Sequence, residues 1–185
     1  EASPEEIAEV VGPSGGPALV REVAARGLLH EDGSGLLQLP SLWRAFFDGR
    51  LQARLGAEAA RLARRRAAGV LARKGRIEEA IALLIAAGDF EAGAHLLSRA
   101  GRLLLGTGRR ALVLEWLGRL PPVLREESPD LTLQHGLALM GADPDRAAVL
   151  LEKAARAFQA RGSTVEAQGA WAALGFVHLT EGRMD

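Results

Sequence analysis

The stretch Gly75-Arg76-Ile77-Glu78-Glu79-Ala80-Ile81-Ala82-Leu83-Leu84-Ile85 decides the fold class. Ile77, Ala80, Ile81, Leu84 and Ile85 recur at the three- and four-residue steps that line one face of an α-helix, so the segment reads as a helix with a single buried side. Glu78 and Glu79 fall in its first turn, where negative charge complements the helix dipole. Gly88 stops this helix and Asp89 starts the next.

Toward the C-terminus the same pattern repeats. Phe90, Ala94, Leu97 and Leu104 line one helix, and Val113, Trp116, Leu117 and Leu120 line another that Pro121-Pro122 stops. Ser128-Pro129-Asp130 and Asp143-Pro144-Asp145 each put a capping side chain ahead of a proline at the first helical position. Ala147, Leu151, Ala154 and Phe158 share one face of the helix that follows. Ser163-Thr164-Val165-Glu166 spells a capping box, and Val165, Ala172, Phe176 and Leu179 are the expected buried side of the last helix. Gly69, Ala80, Ala147, Gly169 and Ala173 are the small residues expected where two helices approach. Helix pairs recurring every ~34 to 47 residues are the signature of helical repeats, in which each pair exposes an apolar face for its neighbour to cover. Thr180-Glu181-Gly182-Arg183-Met184-Asp185 parallels Arg73-Lys74-Gly75-Arg76-Ile77-Glu78, where a second helix follows directly. A fragment of a longer protein, cut in mid-repeat, is therefore expected.

Toward the N-terminus the period changes. Ser3-Pro4-Glu5-Glu6 opens a helix with a capping box, and the breaker cluster Gly12-Pro13-Ser14-Gly15-Gly16-Pro17 ends it. A second helix runs over about 18–26 and stops at Gly27. Leu28-Leu29-His30-Glu31 and Leu36-Leu37-Gln38-Leu39 flank the turn residues Asp32-Gly33-Ser34-Gly35, as in a short hairpin. Pro40 ends the hairpin, and Ser41 is the expected cap of a helix carrying Leu42, Trp43, Phe46, Phe47, Leu51 and Leu55. Two helices, a hairpin and a helix suggest a small winged-helix-like head over residues 1–56, with helical repeats over 57–185.

Composition narrows the function classes. Hydrophobic residues make up 48% of the 185, enough for a sizeable core, and the formal net charge is +0, against a surface dominated by nucleic-acid or anionic-lipid attraction. Cysteine is absent, which excludes disulfides and thiolate chemistry; a reducing cytoplasm is compatible. No apolar run approaches the ~20 residues of a membrane-spanning helix. Tyr is absent and aromatics total 4%, so stacking platforms for single-stranded nucleic acid are scarce. Asn is absent and only Lys74 and Lys153 are lysines, a bias that fits a heat-adapted source or a GC-rich genome equally.

The segments Ala25-Arg26-Gly27-Leu28-Leu29 and Leu39-Pro40-Ser41-Leu42-Trp43-Arg44-Ala45-Phe46-Phe47 resemble the winged-helix end of the nucleotide-switch module in MalT-like, large LuxR-type transcriptional regulators. The stretch from Arg64 to Leu84, then Ala87-Gly88-Asp89-Phe90-Glu91-Ala92, Trp116-Leu117-Gly118-Arg119-Leu120-Pro121 and Ser128-Pro129-Asp130-Leu131 look like the start of that family's helical-repeat sensor. The resemblance covers most of the chain, and the order of the motifs carries it. It implies a mainly α fold: a winged-helix-like head followed by a right-handed, tetratricopeptide-like solenoid that binds an inducer or a partner protein segment. DNA binding would belong to domains outside this chain. Pro40 stands where the family usually carries a histidine thought to touch nucleotide, so the resemblance brings no nucleotide role to this segment.

Few residues invite chemistry. The glycines at 12–16 lack the Gly-Lys-Ser/Thr ending of a phosphate loop and follow no strand. Glu5-Glu6, Glu78-Glu79 and Glu126-Glu127 are adjacent carboxylates, and adjacent residues on a helix do not face each other. His30, His95, His135 and His178 have no second ligand at metal spacing. No catalytic, cofactor or metal site is expected. Arg61, Arg64, Arg65, Arg66, Arg73 and Lys74 form the one basic cluster, read as a solvated face with ion pairs to Glu58 and neighbours, or as contact with an acidic partner or nucleic acid. A DNA-reading helix needs polar side chains at its front, whereas Leu42 to Phe47 looks like a packing helix. The expected partner-binding residues are Arg61, Arg65, His135, Trp171 and His178, in a cytoplasmic, non-enzymatic sensor or, alternatively, a constitutive assembly scaffold.

Overall fold

A computed structural model of the chain describes residues 3–11, 16–31 and 37–180, without the side chains of 4, 16, 17, 30, 31, 41–49, 51, 52 and 55. The parallel between residues 180–185 and 73–78, and the packing expected of Trp43, Phe46 and Phe47, therefore lie outside the described residues. Within them the chain is mainly helical, with ten helices and one two-stranded ladder, and no helix is long and apolar enough to cross a membrane. It forms two compact units, Glu1–Asp89 and Phe90–Asp185.

In the first unit, α1 (Pro4–Val11) begins with the reciprocal capping box: Ser3 N–H donates to Glu6 Oε2 at 2.6 Å and Glu6 N–H to Ser3 Oγ at 3.2 Å. α2 (Gly16–Ala25) starts two residues earlier than the sequence suggests. β1 (His30–Glu31) pairs antiparallel with β2 (Leu37–Gln38), His30 opposite Gln38, while the turn of this hairpin lies outside the described residues. α3 (Ser41–Arg73) begins at Ser41 itself, with Pro40 in the cap position, so Ser41 is the first helical residue rather than the cap. Gly56 interrupts α3 with φ 78° and ψ 162°, a conformation open to glycine and strained for any other residue. α4 (Ile77–Ala86) buries Ala80, Ile81, Leu84 and Ile85, the face read from the sequence. Arg76 ties α1 to the start of α4: Nη1 donates to both Glu6 oxygens at 2.9 and 3.1 Å, while Nε and Nη2 reach Glu79.

The second unit comprises α5 (Phe90–Gly106), α6 (Arg110–Arg119), α7 (Pro122–Glu127), α8 (Pro129–Leu139), α9 (Pro144–Ala160) and α10 (Thr164–Thr180). The two proline-led helices start as expected: Ser128 Oγ accepts from Leu131 N–H and Asp143 Oδ1 from Arg146 N–H. α8 is enclosed by α5, α6, α7 and α9, and α9 packs against both α8 and α10. The core joins Leu133 of α8 to Ala147, Leu151, Ala154, Ala155 and Phe158 of α9, and to Ala167, Ala170, Leu174 and Val177 of α10. Helix-on-helix burial of such aliphatic side chains stabilises by about 1.5–3 kcal/mol for each large one.

Three expectations are corrected here. α10 turns Ala167, Ala170, Leu174 and Val177 toward α9, while Val165, Phe176 and Leu179 are 75%, 56% and 55% exposed and Ala172 is exposed too. Apolar residues ring this helix, so periodicity alone does not select the face; contact with α9 does. The capping box of Ser163 and Glu166 is not formed among the described residues, and the first turn rests on Ala167 N–H donating to Ser163 O. Close approach uses different glycines. A Cβ on Gly169 would meet nothing within 4 Å, and one on Gly69 only the Arg73 guanidinium. At Gly136 it would fall 2.9 Å from Leu151 Cγ and 3.3 Å from the Ala147 carbonyl oxygen, so α8 and α9 need that glycine to pack as they do.

Candidate functional site

Of the five expected partner-binding residues, His135 lies in the most constructed surroundings. It lines a cavity of about 90 Å³ together with Arg125 and Glu126 of α7, Leu131 and Thr132 of α8, and Arg146, Leu150 and Lys153 of α9. Local sequence explains the convergence. Arg146, Leu150 and Lys153 follow four- and three-residue steps and so share one face of α9, as Leu131, Thr132 and His135 do on α8. The short α7 is held against α8 by Thr132, whose buried hydroxyl lies 3.1 Å from Arg125 O and 3.0 Å from Ser128 O. Arg125 in turn donates from Nη1 to the Leu117 carbonyl at the end of α6, at 3.0 Å. That bond fixes the guanidinium by one nitrogen and leaves its remaining donors uncommitted to protein acceptors among the described residues.

Arg26 pairs with Glu22, Arg119 with Glu115 and Arg156 with Glu152. Among the described residues no carboxylate lies within ion-pairing distance of Arg125, Arg146 or Lys153. Glu126 is the one carboxylate in the lining, and it is solvent-exposed. Burial, then the charges of Arg146 and Arg125, hold the His135 imidazole below its ordinary pKa, so it is neutral at pH 7. The lining thus joins three cations and one exposed carboxylate to Thr132, Leu131 and Leu150, around an imidazole whose protonation burial and two of the cations oppose.

Arg61 and Arg65 come together on a shallow groove of about 230 Å³ with Glu58, Ala59 and Leu62. Their charges are already engaged. Arg61 pairs with Glu58 at 3.1 Å, and Arg65 Nε and Nη2 each donate at 2.7 Å to the two oxygens of Asp89, whose side chain is 2% exposed. Trp171 and His178 lie two turns apart on α10, Trp171 at 36% exposure and His178 partly buried, and neither lines the His135 pocket. The other two tryptophans differ: Trp116 is buried in the core, and the side chain of Trp43 lies outside the described residues. Two apolar grooves flank α1, one against α3 and one against α2 and the hairpin, with Ile7 common to both. No group of three metal-ligating side chains occurs among the described residues.

Sequence reasoning reached His135 but missed Arg125, Arg146 and Lys153. The only one-dimensional signal was the shared face of Arg146 and Lys153; Arg125 joins them through the turn at Ser128, which no periodicity announces. Comparison with known protein families, with curated proteins and with solved structures gives no match to this chain.

Proposed function

We propose that this chain is a non-enzymatic sensor and interaction segment of a cytoplasmic transcriptional regulator, a winged-helix-like head followed by tetratricopeptide-like repeats that bind an inducer or a partner segment. The observation that carries this reading is the pocket around His135. Three cations share its lining with a single exposed carboxylate, Glu126, and a bound group of negative charge adds favourable charge pairing there. The order of the motifs, from Ala25–Phe47 through Arg64–Leu84 to Ser128–Leu131, supports the regulator context. A ligand selective for one conformation would shift the off/on balance of the larger protein. Thermal unfolding of the 185-residue chain against a panel of metabolites and short peptides tests the reading. A true ligand raises the midpoint, because it binds only the folded state; a panel with no stabilising member sinks it.

A second reading, a constitutive assembly scaffold, is favoured by one observation: the outward apolar stripe Val165, Ala172, Phe176 and Leu179 on α10. It predicts tight association in sedimentation experiments without any ligand, abolished by charged substitutions on that stripe and indifferent to changes at Arg146.

A further inference from the structure

We propose that the pocket bounded by α7, α8 and α9 is the binding site for a single oxyanion group, a phosphate or a carboxylate, carried on a small ligand. This rests on the sensor reading above and names its ligand class.

Three features converge. The first is charge: Arg125, Arg146 and Lys153 come from two different helices, face one cavity and have no carboxylate partner among the described residues. The second is size. A cavity of about 90 Å³ holds one oxyanion group and leaves the rest of its carrier at the open mouth. The third is preorganisation. The Arg125 guanidinium is held by its Nη1 bond to Leu117 O, and its backbone carbonyl accepts from the Thr132 hydroxyl, so less freedom remains to be lost when its other donors meet an anion. Leu131 and Leu150 keep part of the lining apolar, which strengthens charge-assisted hydrogen bonds made there.

Binding is coupled to a proton. The charged groups facing His135 are Arg125 and Glu126 from α7 and Arg146 and Lys153 from α9. Two of these cations oppose protonation of the imidazole. An oxyanion between them cancels that opposition and accepts a hydrogen bond from the imidazolium, so His135 takes up a proton as the anion binds. By reciprocity the anion binds more tightly as pH falls.

The test uses the full chain with sodium sulfate, inorganic phosphate and sodium acetate at constant ionic strength, following the histidine ring signals by NMR between about pH 8 and pH 5. Sulfate is the reference because it does not titrate in this window. The His135 signal, assigned with His135→Gln, is expected to titrate at higher pH in the presence of the favoured anion, while His95 and His178 do not move. A response to sulfate and phosphate but not acetate identifies a phosphate group; a response to acetate at equal or lower concentration identifies a carboxylate. Arg146→Ala and Lys153→Ala, both at exposed positions, should each weaken binding on the order of tenfold, and Glu126→Gln should tighten it. His135→Gln should retain binding and lose its pH dependence. The proposal is overturned if none of the three anions shifts His135, if all histidines shift alike, or if Arg146→Ala binds as well as the parent chain. Should the oxyanions fail while a neutral metabolite still raises the unfolding midpoint, only the oxyanion class falls; should both fail, the sensor reading falls with it.

Discussion

Gln134 occupies the space that a side chain on Gly101 would need: a Cβ placed on Gly101 would lie 2.0 Å from Gln134 Oε1 and 2.3 Å from Gln134 Cδ. The amide is 1% exposed and donates from Nε2 to Ser98 O at 2.8 Å, so α5 and α8 are pinned together by one buried polar side chain over one bare backbone position. Gly101→Ala should therefore push Gln134 off Ser98 and destabilise the second unit by about 1–3 kcal/mol in urea unfolding. Adding Gln134→Ala to that variant should recover part of the loss, because it removes the atoms that clash. Simple additivity of the two losses would refute this account.

Arg65 and Asp89 pair through two bonds of 2.7 Å onto a buried carboxylate. Arg65→Ala removes two charge-assisted bonds from that buried carboxylate and should cost about 1–3 kcal/mol. Arg61→Ala, which removes only an exposed pair with Glu58, should fall within about 0.5 kcal/mol of the parent. Chemical denaturation of the two variants side by side checks the contrast.

The lowered pKa of His135 has a definite sign for stability. The imidazole protonates less readily folded than unfolded, so its contribution is present above the unfolded value of about 6.5 and is lost as pH falls below it toward the folded value. His135→Gln should consequently lose less stability than the parent chain between about pH 7.5 and pH 5.5. Glu79, held low by its hydrogen bonds from Arg76, acts in a more acidic window, below the ordinary carboxylate value, and does not overlap this one. Urea midpoints measured across the range, parent against variant, decide the matter; an equal acid loss in both would exclude His135 as the cause.

The orientation of α10 is open to a direct comparison. Leu174 faces α9 and Phe176 faces outward, though only Gly175 lies between them. Leu174→Ala should cost about 2–5 kcal/mol, and Phe176→Ser less than about 0.5 kcal/mol. The reverse order of costs would mean that α10 packs through its other face.

The legible parts of the chain are those where one face is apolar and the other is not. α6 and α9 bury the residues their periodicity names, α4 buries all of its own except the half-buried Ile77, and Ser3, Ser128 and Asp143 cap the helices they precede. α10 was illegible because valine, alanine, tryptophan, leucine and phenylalanine surround it. The candidate site was half legible. A histidine with charged helical neighbours can be noticed in one dimension, but Arg125 enters the pocket only because α7 folds back over α8.

By itself the amino-acid sequence determined the helical class, the caps at Ser3, Ser128 and Asp143, and the strands of the short hairpin, because these depend on residues close together in the chain. Tertiary packing decided which face of α10 is buried, why Gly101 and Gly136 must lack a side chain, and that Arg125, Arg146 and Lys153 share one lining with His135. Those outcomes depend on which surfaces come into contact, and a side chain is buried or paired only once another helix has covered it or left it bare.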